Sequence, residues 1–167
     1  MNRNLTVAMT AALMMTGTAT QAQEVNIGRS NITLKSDLMT PEALWAMGRI
    51  GSAQASPDGK KIAYQVGYYS VKENRGHQVI RIMDADGKND KLLTTSARSE
   101  GDVAWLDNQT LAFLTDGQLW TMSIDGSNRH QLTHSDIAIE GFRFSPDKKR
   151  TLNIQKTKAT EDSTTST

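Results

Sequence analysis

A nine-residue segment occurs twice in this chain, 39 residues apart, and the repetition limits the fold more than any other feature. Asp86-Gly87-Lys88-Asn89-Asp90-Lys91-Leu92-Leu93-Thr94 aligns without gaps to Asp125-Gly126-Ser127-Asn128-Arg129-His130-Gln131-Leu132-Thr133, and five of the nine positions are identical. A second unit, Ser56-Pro57-Asp58-Gly59-Lys60-Lys61-Ile62-Ala63-Tyr64, recurs as Ser145-Pro146-Asp147-Lys148-Lys149-Arg150-Thr151-Leu152-Asn153. A worn copy, Trp105-Leu106-Asp107-Asn108-Gln109-Thr110-Leu111-Ala112-Phe113, lies between them. The steps from Pro57 to Leu106 to Pro146 are 49 and 40 residues. Periods of about 40–50 residues, each holding several strands, are the spacing of propeller blades.

The segments between the repeats alternate with a period of two. Ile62, Tyr64 and Val66 alternate with Lys61, Ala63 and Gln65; Ile80 and Ile82 with Val79, Arg81 and Met83; Trp120, Met122 and Ile124 with Leu119, Thr121 and Ser123. Leu111 and Phe113 mark another short run. Short strands bounded by Gly, Asp, Asn or Pro read as an all-β sandwich, barrel or propeller, and the repeat period selects the propeller. Ser-Pro-Asp-Gly sets Pro at the second position of a turn just before a strand. Asp-Gly-x-Asn is a tight hairpin, and the Leu-Thr after it falls in the outermost strand of a blade.

Ahead of the repeats stand two other signals. Leu5 to Met15 is apolar apart from Thr6 and Thr10, follows Arg3, and precedes the small residues Thr16 to Ala22. That three-part pattern predicts a signal peptide over residues 1–22 and an exported product, secreted or periplasmic, beginning near Gln23. A membrane span needs about 20 apolar residues and this run offers about half, so no membrane association is expected once the leader is removed. Thr40-Pro41-Glu42 predicts a helix start, with Thr40 as N-cap and Glu42 complementing the helix dipole. Leu44, Trp45 and Met47 are expected to dock the short helix on a neighbour, and Gly48 to end it in the left-handed conformation.

Composition removes several functions. Lys plus Arg is 19 and Asp plus Glu is 18, for a net charge of +1, which argues against a nucleic-acid partner. No cysteine is present, so disulfides, thiolate zinc sites and a cysteine nucleophile are excluded.

Leu38-Met39-Thr40-Pro41-Glu42-Ala43-Leu44-Trp45-Ala46-Met47-Gly48-Arg49-Ile50, followed closely by the Ser56 to Tyr64 unit, resembles the start of a secreted bacterial serine peptidase. The family is the prolyl oligopeptidase family, in its acylaminoacyl-peptidase and dipeptidyl-peptidase 5-like branch, and the resemblance runs from about Leu38 to Lys156. It implies a helix leading into an N-terminal β-propeller that gates access of large substrates. It also implies a C-terminal α/β-hydrolase domain as partner, which carries the Ser-Asp-His triad and acts on peptide substrates. No G-x-S-x-G segment occurs in these residues, so no catalytic residue of the family can be assigned here. About 115 residues remain after the leader and helix, fewer than three blades at about 40 each, where a closed propeller needs four. The expectation is a propeller portion of a larger peptidase, inactive alone; the alternative is a TolB-like propeller module for protein–protein binding. Lys156 to Thr167 contains no apolar residue except Ala159, which reads either as a frame change near Asp162 or as a disordered terminus.

Other candidate chemistry is thin, and no catalytic, cofactor or metal residue is assigned. His130 and His134 have the spacing of a helical zinc pair but fall on a strand end and loop. His77 reads as a solvated hairpin tip beside Lys72 to Gly76. Asp84-Ala85-Asp86-Gly87 has its glycine too early for a calcium loop. Asp102, Asp116 and Glu140 could be combined with Ser99 or His134, but nothing in the spacing favours a triad. Lys148-Lys149-Arg150 reads as a turn, and Trp105, Trp120, Phe142 and Phe144 as inter-blade core rather than a stacking surface. The sequence thus predicts an all-β chain, an incomplete β-propeller of two to three antiparallel blades preceded by a signal peptide and a short helix. Its segments are 1–22 (leader), 23–50 (N-terminal segment with helix), 51–156 (blades) and 157–167 (tail).

Overall fold

A computed structural model describes residues 27–29, 31–33, 38–94 and 96–156; the leader and tail expectations lie outside the described residues. Helix α1, Pro41–Ala46, opens as expected: the Thr40 side chain accepts a hydrogen bond from the Ala43 N–H at 3.2 Å. Two expectations about it fail. Trp45 does dock, its ring centroid 4.9 Å from that of Tyr69, but Leu44 and Met47 stay exposed and Ala43 is the buried residue, because a six-residue helix offers one narrow line of contact. Gly48 is not left-handed; Met47 ends the helix in extended backbone. Gly48 is needed for space instead, since a Cβ there would meet Tyr68 at 2.8 Å and Val66 at 2.9 Å.

Ten strands follow. Sheet one runs β1 (Arg49–Ala55), β2 (Lys61–Ser70), β3 (Arg75–Asp84) and β4 (Lys91–Leu92), in that order and antiparallel throughout. Sheet two repeats it as β5 (Glu100–Trp105), β6 (Thr110–Thr115), β7 (Gln118–Ser123) and β8 (His130–Gln131). A third sheet pairs β9 (Ile139–Phe144) with β10 (Thr151–Gln155). Two four-stranded blades and half of a third agree with the expected incomplete propeller.

The sequence repeats are repeats of hydrogen bonding. In both Asp-Gly-x-Asn turns the glycine N–H bonds back three residues, Gly87 to Asp84 O at 2.9 Å and Gly126 to Ser123 O at 2.8 Å. The preceding carboxylate caps the turn, Lys88 N–H to Asp86 at 3.0 Å and Ser127 N–H to Asp125 at 2.9 Å. Downstream, the Thr94 hydroxyl receives the Ile80 N–H at 3.0 Å and the Thr133 hydroxyl the Leu119 N–H at 2.9 Å, holding the chain to its inner neighbour past the end of regular strand pairing. The Ser-Pro-Asp turns match as well: Ser56 donates to Asp58 at 2.6 Å and Ser145 to Asp147 at 2.5 Å.

The core lies between sheets. Ala63, Ile80, Ile82 and Leu93 of blade one pack on Val103, Trp105, Leu111, Phe113 and Met122 of blade two, with Trp120 and Ile124 partly buried against them. The opposite face of blade two buries Ala112 and Leu119 against Phe142, with Phe144 at its edge. Trp105, Trp120, Phe142 and Phe144 are therefore inter-blade core. The Ile62, Tyr64 and Val66 alternation corresponds to the outer face of blade one; Ala63, from the other parity, enters the core between blades. The reason is that both faces of a blade are packing faces, so alternation alone does not say which is the deeper one.

Candidate functional site

The carboxylates of the acidic repeat turns are engaged by nearby hydroxyl, N–H and ammonium groups. Asp58 is held below the usual carboxylate range by the Ser56 hydroxyl and the Lys60 N–H, Asp125 by Ser127, and Asp147 by Ser145. Asp84 is lowered by Lys61, at 2.8 Å, and by Asn89. Among the described residues no group of three His, Asp or Glu side chains is arranged to hold a metal ion.

The junction between blades one and two contains a buried polar network. His77 is buried in β3, not solvated at a hairpin tip as the flanking charges suggested. Its Nδ1 lies 2.6 Å from Ile27 O, and its Nε2 lies 3.1 Å from both Ser96 O and Arg98 O. The ring thus ties the segment before α1 to the connection between the blades. Ser96 in turn donates to Glu100 at 3.1 Å, and Glu100, 2% exposed, pairs with Arg129, which also stacks over Phe113. Burial raises the Glu100 carboxyl, with Arg129 opposing the shift. Its Oε2 has no hydrogen-bond partner.

Beside this junction opens a polar cleft of about 320 Å³ lined by Gln65, Gln78, Ser99, Asp102, Asp116 and Glu140 among others. The structure thus brings together four of the residues that the sequence left scattered: Ser99, Asp102, Asp116 and Glu140. Bulged inner strands place Asp102 and Glu140 there, while Ser99 comes from the loop before β5 and Asp116 from the turn between β6 and β7. β1, β5 and β9 each carry one extra residue relative to their partners, between Ile50 and Ala53, between Gly101 and Ala104, and at Glu140. Such a bulge turns side chains out of the alternation and aims them away from the packing face. Asp102 sits at its bulge with φ 50°, its N–H bonded to Gln65 at 2.9 Å. Gly101 leaves room for the two glutamines, since a Cβ there would meet Gln78 at 2.7 Å and Gln65 at 2.8 Å. Asp116 pairs with Arg98, and Glu140 with Lys156 at 2.9 Å.

The cleft's chemistry is that of hydrogen bonding. Ser99 Oγ accepts the Gln78 N–H at 3.2 Å, and among the described residues no histidine lines the cleft, so a serine–histidine pair is not assembled there. His134 is not among its lining residues, and His130 lies on β8. Lys148 occupies the turn before β10 with φ 58°, and its ammonium lies 5.8 Å from the Phe144 ring. Sequence reasoning missed Gln65, Gln78, Glu100 and Arg129. A signal existed for Arg129: it replaces Asp90 in the 39-residue repeat, a reversal of charge at one blade position.

No protein-family model matches the chain. It is 34% identical over 123 residues to dipeptidyl-peptidase 5 of Porphyromonas endodontalis, covering 71% of this chain and 18% of that protein. It is 31% identical over 157 residues to dipeptidyl-peptidase 5 of Porphyromonas gingivalis, covering 91% of this chain and 22% of that one. The chain is a relative of dipeptidyl-peptidase 5, in the prolyl oligopeptidase family. It spans about a fifth of the length of these curated relatives. Among solved structures, the acylaminoacyl peptidase of Pyrococcus horikoshii matches with TM-score 0.55 at 15% identity, over 71% of this chain and 19% of that one. An oligogalacturonate lyase matches with TM-score 0.54 at 16% identity, over 68% of this chain and 36% of the other. At these identities the structural matches show the fold alone, and an enzyme of different chemistry shares it.

Proposed function

We propose that the chain is the propeller portion of an exported serine peptidase of dipeptidyl- or acylaminoacyl-peptidase type, inactive by itself. The observation that carries this reading is the 34% identity to dipeptidyl-peptidase 5, which spans 71% of the chain and only 18% of the relative. In this reading the catalytic serine, aspartate and histidine belong to an α/β-hydrolase domain, and the blades limit which peptides reach it. The cleft lined by Ser99, Asp102, Asp116 and Glu140 supports a role in contact, because its serine accepts the Gln78 N–H and two of its carboxylates are paired with Arg98 and Lys156.

The test is a chimera. Residues 23–156 replace the matching segment of the Porphyromonas endodontalis dipeptidyl-peptidase 5, and hydrolysis of fluorogenic dipeptidyl substrates is measured beside the chain alone. The chimera is expected to turn over substrate and the isolated chain to show none. A folded chimera without activity would remove the peptidase reading and favour a protein-binding module. Turnover by the isolated chain would overturn the assignment of catalysis to another domain. Export is checked separately by the N-terminus of the secreted product, expected near Gln23.

A further inference from the structure

Among the described residues three buried side-chain polar atoms have no hydrogen-bond partner, and all three belong to blade two: Glu100 Oε2, Thr115 Oγ1 and Trp120 Nε1. A folded interior ordinarily pairs such groups, either with protein or with ordered water. Thr115 lies two residues from Phe113 on β6, so both side chains leave the same face of the strand. Phe113 and Trp120 pack against blade one across that face. The three side chains therefore sit between the two complete blades, away from the third sheet.

Strand register brings them together. Glu100 stands directly opposite Thr115 across β5 and β6, and Trp120 stands opposite Phe113, the next residue of β6 on that face. Directly opposed Cβ atoms lie about 5 Å apart, and diagonal ones such as Thr115 and Trp120 about 7–8 Å, within reach of an indole. The chemistry of the three atoms then selects what fits among them. An ionised carboxylate oxygen only accepts, an indole N–H only donates, and a hydroxyl does either. Glu100 Oε1 already receives the Ser96 hydroxyl at 3.1 Å and the Arg129 guanidinium, so the charge of the carboxylate is answered. A cation cannot accept from the indole N–H, and an anion would face the carboxylate. Water meets both demands.

We propose that one ordered water molecule is held between blades one and two, accepting from Trp120 Nε1–H, donating to Glu100 Oε2 and sharing its third bond with the Thr115 hydroxyl. The proposal does not rest on the peptidase reading. The water extends the network that begins at His77. Ser96 binds the His77 ring through its carbonyl and Glu100 through its hydroxyl, and the water carries that chain on to β6 and β7. The segment before α1, the link between the blades and the strands of blade two then share one polar connection.

Crystals of the full chain grown from a sodium salt and from a rubidium salt test it. A peak of density is expected within about 3.2 Å of Glu100 Oε2, Thr115 Oγ1 and Trp120 Nε1, with no anomalous signal from rubidium. In solution, oxygen-17 relaxation dispersion counts long-lived internal waters. Thr115→Val is expected to lower that count by one, with amide exchange in β6 and β7 unchanged, so that the variant is scored as folded. If Thr115→Val is unfolded, Glu100→Met combined with Arg129→Met removes the acceptor instead and is expected to give the same loss. A direct bond between Glu100 Oε2 and Thr115 Oγ1 would overturn the proposal, as would a rubidium signal, which would make the guest a cation. A count that stays unchanged in a folded variant would overturn it as well.

Discussion

Gly87 and Gly126 occupy one position of the repeat, with φ of 84° and 90°, yet their surroundings differ. A Cβ on Gly87 meets nothing within 4 Å, whereas one on Gly126 would come 2.9 Å from the backbone oxygen of Leu93 in the other blade. The pair therefore separates two costs that usually arrive together. Gly87→Ala is expected to destabilise by about 1 kcal/mol, the cost of a left-handed alanine. Gly126→Ala carries the same cost plus a backbone displacement between blades, and should lose roughly twice as much. Urea midpoints of the two variants measure the difference. Equal losses would mean that Leu93 moves freely and that the close approach is not a constraint.

At the scale of elements, the repeat explains why blade one and blade two look different on equivalent faces. Tyr64, Arg81 and Asp90 in the first correspond to Phe113, Trp120 and Arg129 in the second. On the outer face of blade one, Arg81 grips Asp90 with two bonds of 3.1 and 2.7 Å while Tyr64 donates to the same carboxylate at 2.7 Å. Between blades, the same positions hold two apolar rings and a cation answering Glu100. Arg129→Met is expected to cost about 3–5 kcal/mol, because it leaves a buried carboxylate without its partner. Glu100→Met combined with Arg129→Met should recover most of that loss, as measured by chemical denaturation. A double variant no better than the single one would mean that Arg129 acts through its contact with Phe113. The same elements show what could be read from sequence. The hairpin turns, β2, β3, β6, β7 and the third half-blade followed from spacing and period. The inner strands β1 and β5 did not, since Gly51-Ser52 and Asp102-Val103 carry the extra residue that reverses the alternation. The cleft was not legible for a related reason: bulges on β5 and β9 turn Asp102 and Glu140 toward Ser99 of the loop before β5 and Asp116 of the turn between β6 and β7. His77 was misread because its neighbours in sequence are charged, while its neighbours in space are three carbonyl oxygens.

For the whole molecule, the turn carboxylates act in one direction with pH. Asp58, Asp84, Asp86, Asp90, Asp125 and Asp147 are all lowered from 3.8, by hydrogen bonds to Ser56, Lys61, Lys88, Arg81, Ser127 and Ser145 respectively. The unfolded chain binds protons more readily at these groups, so their contribution is present above 3.8 and is lost as pH falls through the folded values. Glu100 has the opposite sign. Raised above 4.5, it binds a proton more readily when folded, and its contribution declines as pH rises through that window. Urea midpoints are therefore expected to rise slightly as pH falls through the raised Glu100 value toward 4.5, and to drop as pH falls below 3.8. In Glu100→Gln the rise should vanish while the acid loss persists. An unchanged rise in that variant would assign it to another group.

In each Asp-Gly-x-Asn turn the capping carboxylate and the glycine N–H find their partners within the turn itself, and that has a consequence for how such a chain can change over generations. A stretch of about 40 residues brings its own punctuation: its capping carboxylate, its positive-φ residue and the threonine that finishes its outer strand. Copying that stretch, deleting it or moving it along the gene leaves the neighbouring turns chemically complete. What must then be renegotiated is confined to the faces between blades, where one alanine, one leucine or one arginine decides the fit. Blade number in such a lineage is thus an inherited count, open to revision by recombination, while the turn grammar stays fixed.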